Sequence, residues 1–255
     1  MINSALYREP VLLDSKLHRQ KRLKGLSDFG VTRNMHAVFL TATEFPQAAL
    51  DFPIIFINTG ERLESGKPMV SPVALMGLTA GENLRVTAEG RWDARYVPAF
   101  IRRFPFLTAG VKGSDAPGVF VDAAWSGFSD TEGEPLFDEQ GQPTEALKRA
   151  MDFLQRFDDE QKRTRRFCTR LIELDVLKEM QADATMPSGE NIKIEGFLTV
   201  DEEKLNALPD PVVLELHRNG MLMLLQVHLI SLANVRDLVE RKALRMAAAP
   251  ATATA

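Results

Sequence analysis

The order in which two hydrophobic periodicities follow one another constrains this chain most. Apolar residues alternate in short segments between positions 36 and 87. They then recur at helical spacing from about position 144, return to alternation at Ile192-Lys193-Ile194-Glu195-Gly196-Phe197, and give way to helical stretches again. A doubly wound parallel sheet needs strand and helix in regular alternation, whereas strands grouped before helices indicate an α+β fold. The expected architecture is an antiparallel β-rich N-terminal half, a helical middle and a mixed strand and helix C-terminal part.

Local signals fill in this order. Strands are expected at 36–40, 52–57, 72–78 and 83–86, with turns at Asn58-Thr59-Gly60, Thr79-Ala80-Gly81-Glu82 and Glu89-Gly90-Arg91-Trp92. Residues 96–103 read as a short helix with Pro98 in its first turn and Pro105 ending it. A strand at 119–122 and a Gly-, Asp- and Pro-rich loop at 126–143 follow. Thr144 is placed to cap a helix whose stripe is Leu147, Met151 and Leu154. Asp158-Asp159-Glu160 marks a break or a new start, and Phe167, Leu171 and Leu174 continue the pattern, with Leu177, Lys178 and Met180 as its tail before a turn at 186–189. Helices are expected at 201–208 and 212–218, the second stopped by Asn219-Gly220. Residues 221–229 are read as a buried strand, with Ser231 capping a last helix that runs to about Met246.

With 255 residues, the chain is long enough for one large domain or two small ones. Its expected organisation is a basic N-terminal arm (1–33), one compact domain (34–246) and a disordered Ala/Thr/Pro tail (247–255). Lys16, His18, Arg19, Lys21, Arg22 and Lys24 make the arm basic, and it reads as a solvated extension or a strap over acidic surface. A net charge of −4 and few aromatics among the arm's cations argue against a nucleic-acid partner. No uninterrupted apolar stretch reaches the roughly 18 residues of a spanning helix. Arg8, Glu9 and Asp14 interrupt any signal-like start, so no transmembrane segment and a cytoplasmic location are expected.

Familiar catalytic signatures do not occur. There is no Gly-x-Gly-x-x-Gly turn, no phosphate-binding loop around Gly66-Lys67-Pro68 and no Gly-x-Ser-x-Gly elbow around Trp125-Ser126-Gly127. The acidic loop at 129–134 lacks the calcium-loop register and reads as solvated carboxylates. Cys168 is the only cysteine, so neither an intrachain disulfide nor a thiolate cluster can form, and a core role is favoured over a reactive thiol. His217 and His228, with Glu215 near the first, are the raw material for an acid–base pair or a metal site, but packing roles are the simpler reading. Neither a metal nor a cofactor is expected. Trp92, Tyr96, Phe100, Phe104 and Phe106, beside Arg102 and Arg103, form the best candidate recognition surface. Trp92, Tyr96, Arg102 and Arg103 are its nominated binding residues, with core anchoring the competing role.

Several strings are specific as a family label: Tyr96-Val97-Pro98-Ala99-Phe100-Ile101-Arg102-Arg103-Phe104-Pro105-Phe106, Glu134-Pro135-Leu136-Phe137-Asp138 and Gly196-Phe197-Leu198-Thr199-Val200-Asp201-Glu202-Glu203-Lys204-Leu205. With Gly77-Leu78-Thr79-Ala80-Gly81-Glu82-Asn83-Leu84 and His228-Leu229-Ile230-Ser231-Leu232-Ala233-Asn234, the chain resembles the bacterial SapC family from about His36 to about Val239. This is the family named for a surface-layer-associated protein, not the peptide-transport permease of the same name. The resemblance implies association with a paracrystalline surface layer in one bacterial lineage, and relatives encoded near outer-membrane receptors and flavin-dependent halogenase-like proteins. It transfers no catalytic residue. The expected function is a non-catalytic binding or accessory protein with a protein partner, linked to cell-envelope or uptake functions. The alternatives are an enzyme of unfamiliar class using His217, Glu215 and His228, and a surface-layer component at the cell surface.

Overall fold

The computed structural model describes residues 6–114, 116–185, 189 and 191–248. The chain begins with strands β1 (Pro10–Leu12), β2 (Arg22–Leu23) and β3 (Ala37–Phe39), then a single turn α1 (Phe45–Ala48) and the hairpin β4 (Ile54–Arg62) and β5 (Pro68–Leu75). A second short turn α2 (Ala99–Arg102) leads to β6 (Phe106–Gly110), β7 (Pro117–Asp122), β8 (Phe128–Ser129) and β9 (Glu134–Pro135). The long helix α3 (Glu145–Glu173) and the hairpin β10 (Leu177–Thr185) and β11 (Asn191–Val200) follow. The chain closes with α4 (Glu202–Asn206), α5 (Asp210–Arg218), α6 (Met221–Ser231) and α7 (Val235–Ala248).

All pairing is antiparallel, as the sequence order requires. The main sheet runs β10-β11-β4-β5-β3, a second runs β1-β7-β6, and a small one runs β8-β2-β9. Alternation along β4 divides the core. Ile54 and Phe56 face a large cluster with Phe45, Phe167, Leu171 and Leu225, so α1, α3 and α6 share that side. Ile55 joins Val73, Leu75, Phe197 and Leu238 on the opposite face, where α7 packs.

Several elements differ from the sequence reading, each for a physical reason. Residues 221–229 form α6 rather than a strand. The segment is apolar all round, so periodicity is silent, yet Met and Leu dominate it and both favour helix. Leu225, His228 and Ser231 are its core-facing positions at helical spacing. Ser231 caps nothing. It is itself helical, and its hydroxyl donates to the His228 carbonyl (2.6 Å) and accepts from the Ile54 N–H (2.9 Å). The helical run Met221–Ala248 therefore continues without a stop. By length and composition it is apolar enough to cross a membrane, its most apolar 18 residues having a mean hydropathy of 1.4, which a count of unbroken apolar residues had not shown.

The strand expected at 83–86 contributes only a Val86–Trp92 bridge. The Asn83 side chain competes for the backbone: its oxygen accepts from the Arg85 N–H (2.8 Å) and its amide donates to the Thr32 carbonyl (3.1 Å). The expected helical tail at Leu177 is the strand β10, because Asp175 adopts φ 54° and ends α3. The N-terminal segment is woven in as a strap. Leu6 and Tyr7 are buried, β1 pairs with β7, and β2 lies between β8 and β9. Lys21 pairs with Asp130 and Lys24 with Glu132, so its cations meet the acidic loop. The tail expected to be disordered falls mostly outside the described residues, as does most of the turn at 186–189.

Candidate functional site

Helix α3 is held by two sheets. Its first half buries Leu147 and Leu154 with Phe106 of β6 and Val121 of β7. Its second half buries Phe167, Cys168 and Leu171 against the main sheet. Thr144 caps it as expected, accepting from the Leu147 N–H at 3.5 Å. The acidic triplet 158–160 causes no break, and Phe157 rather than the exposed Met151 carries the stripe.

Between the two contacts the helix presents Gln155, Asp158, Gln161, Lys162 and Arg165, spaced along one side. Polar residues here leave the junction of the sheets unsealed. A cavity of about 570 Å³ opens on the main-sheet side, lined by Phe39, Met69, Val70, Pro72, Asp158 and Cys168 among others. A second, of about 390 Å³, is lined by Phe39, Phe100, Arg103, Thr108, Phe157 and Asp158 among others. Phe39, Asp158 and Gln161 line both, which makes them compartments of one groove.

The smaller compartment contains two opposite charges. The Arg103 guanidinium lies 4.2 Å from the Phe100 ring centroid, 4.9 Å from Phe157 and 5.9 Å from Tyr7. Its Nε is buried without a hydrogen-bond partner, and no carboxylate among the described residues is within ion-pair distance. Burial pushes the Tyr7 phenol up to about 12, partly opposed by the neighbouring Arg103, so Tyr7 is a neutral wall that donates to the Phe106 carbonyl at 2.8 Å. Across the compartment the Thr108 hydroxyl reaches both Asp158 carboxylate oxygens, at 3.1 and 2.8 Å. Asp158 has no cationic partner among the described residues.

Arg103 is positioned by Glu44. This nearly buried carboxylate accepts from the Thr41 N–H and hydroxyl at 2.8 and 2.9 Å with one oxygen. Its other oxygen accepts from the Tyr96 hydroxyl (2.8 Å) and the Ala99 N–H (2.7 Å). It thereby fixes the start of α2, whose C-terminal neighbour is Arg103.

The nominated surface residues separate on this scaffold. Arg102 is exposed, stacks on Tyr96 and Phe153, and donates to the Val97 carbonyl (2.9 Å) and the Tyr96 oxygen (3.1 Å). The Tyr96 pKa is raised, by burial and then by Glu44. Trp92 donates to the Tyr96 carbonyl (2.8 Å) and packs on Phe29 and Phe52. It lines a different cavity, of about 480 Å³, where Arg85 pairs with Asp237, and Arg241 pairs with Asp237 and Asp93. Of the four nominated binding residues, only Arg103 lines the α3 groove.

The histidine constellation does not assemble. His217 is exposed on the last turn of α5. Glu215 forms a two-point pair with Arg170 (3.1 and 2.8 Å). His228 is fully buried, its Nε2 accepting from the Val200 N–H at 3.1 Å and its ring 5.1 Å from Phe56. Among the described residues no three His, Cys, Asp or Glu side chains converge to hold a metal. Cys168 lies in the groove wall, but burial pushes its thiol up to about 12, which leaves it un-ionised.

Asp158, Thr108 and Phe39 were not singled out from sequence. One signal pointed to Asp158: it lies four residues after Leu154, where the stripe calls for an apolar side chain.

Comparison with curated proteins finds no match, and neither does comparison with solved structures. The SapC family model matches residues 13–238, and the chain belongs to the SapC family.

Proposed function

We propose that this chain is a non-catalytic binding or accessory protein that recognises a small ligand in the groove between α3 and the two sheets. One observation carries the reading: a guanidinium enclosed by three aromatic rings, with no carboxylate partner, lines a cavity. Arg103 is half-buried, but its Nε is removed from water without a hydrogen-bond partner, and such a local cost is characteristic of sites kept for a ligand. The link to cell-envelope or uptake functions rests on the family resemblance. Fractionation tests the cytoplasmic expectation, and a dominant surface pool would favour the surface-layer alternative.

The binding test is a thermal-shift screen of charged metabolites against the wild type and Arg103→Met. A ligand present at 100 times its Kd adds about 2.7 kcal/mol to the folded state. Compounds that stabilise the wild type should lose that effect in Arg103→Met. A screen without hits, or hits that stabilise both proteins equally, would overturn the assignment.

A further inference from the structure

We propose that the groove takes a small zwitterion of the amino-acid type, with its carboxylate on Arg103, its ammonium against Asp158 and its side chain directed into the larger compartment. This inference rests on the binding reading above and names its ligand class.

Arg103 and Asp158 line one compartment, yet they form no ion pair with each other or with any other described residue. The cavity beside Trp92 is the internal contrast, because there two of the three lining arginines, Arg85 and Arg241, are paired with carboxylates. Both groups of the groove are instead held by neutral neighbours. Three rings surround the planar Arg103 guanidinium, and a guanidinium fixed in this way presents its donors in the geometry a carboxylate accepts. Thr108 fixes Asp158, and a carboxylate with about four acceptor sites retains capacity for an ammonium.

Charge decides the class. A simple anion on Arg103 would face the Asp158 carboxylate across a compartment of about 390 Å³, and a simple cation on Asp158 would face Arg103. Only a ligand carrying both charges neutralises both groups. Polyphosphates need several free cations; among the described residues Arg103 is the only cationic side chain lining this compartment, and Lys162 and Arg165 of the adjoining one are paired with Asp159 and Glu61. The adjoining compartment has Phe39, Met69 and Val70 on its sheet side and Gln155, Lys162 and Arg165 on its helix side, and its sheet side receives an apolar substituent. Each compartment falls in the size range of small-molecule sites.

The experiment is calorimetry on the full wild-type chain with the aliphatic and aromatic L-amino acids, and with two one-charge analogues of L-leucine. 4-Methylpentanoate lacks the amine and 3-methylbutylamine lacks the carboxylate. At least one amino acid should bind, and for L-leucine removing either charge should weaken binding at least about tenfold. Asp158→Asn should abolish the preference for L-leucine over 4-methylpentanoate, and Arg103→Met the preference over 3-methylbutylamine. The analogue comparison in the wild type stands even if a variant fails to fold. Equal binding of 4-methylpentanoate and L-leucine would make the ligand an anion, overturning the zwitterion while leaving the binding function intact. Absence of binding by every amino acid would also overturn it, and the metabolite screen would still decide the function separately.

Discussion

Protonation of His228 breaks a hydrogen bond and places a charge in the main core, so it sets a pH dependence that a single substitution removes. The imidazole is fully buried, Nε2 accepts from the Val200 N–H, and Nδ1 has no partner. Burial lowers its pKa from 6.5 to about 4. The unfolded chain therefore takes up this proton near pH 6.5, and the folded chain only near 4. The resulting stability is fully present above pH 6.5, erodes as pH falls through the interval and is gone below about 4. At 1.36 kcal/mol per pKa unit, the interval corresponds to about 3 kcal/mol. Urea unfolding across this pH range measures it, with His228→Leu as the comparison. The variant leaves the Val200 N–H unbonded and should be less stable than the wild type by about 1–3 kcal/mol above pH 6.5, a gap that closes or reverses as pH falls toward 4. Its stability should fall less steeply between pH 6.5 and 4, since the His228 contribution is gone. Parallel curves for the two proteins would refute the argument.

Phe104→Ala should cost about 3–5 kcal/mol in chemical unfolding, because a buried ring packed on Tyr7 and Trp125 is removed. Arg102→Ala should cost about 1 kcal/mol or less, since its stacking is solvent-exposed. Glu44→Gln should cost about 3 kcal/mol or more by the same measurement, because an amide nitrogen cannot accept from the two donors that one carboxylate oxygen now serves. Cys168 should react slowly with a thiol reagent in the native protein and completely after denaturation; fast native labelling would contradict its buried, un-ionised state.

What the sequence revealed depended on whether a local signal stood alone. Thr144 has the side chain, the preceding proline and the following stripe of a helix start, so the beginning of α3 was legible to the residue. The segment around Met221 is apolar on every side and carries no phase, so only helix propensity and length could have decided it. Asn83 reads as part of a strand until its side chain is seen bonded to the backbone it would need to leave free. For the site, Arg102 and Arg103 are chemically alike and adjacent. Which one turns inward depends on Phe157, more than fifty residues away, and on Glu44. Asp158 was read as a helix signal because acidic residues favour first turns; its role depends on two sheets meeting at its side of α3.

The hydrogen bonds that close the main core span nearly the whole chain, and this sets an order of completion during synthesis. The Glu9 N–H waits for Asp122, 113 residues later; the Ala42 N–H waits for Thr164, 122 later; the Ile54 N–H waits for Ser231, 177 later. The hairpin of β4 and β5 can form early, but β4 is then an open edge until β11 arrives to cover it. At about 5–20 residues per second the ribosome leaves that edge and its apolar side chains uncovered for several seconds or more. A nascent chain of this kind finishes its interior only when its last quarter has been made, so a product truncated before α6 has its first-made strands complete and its core still open to water.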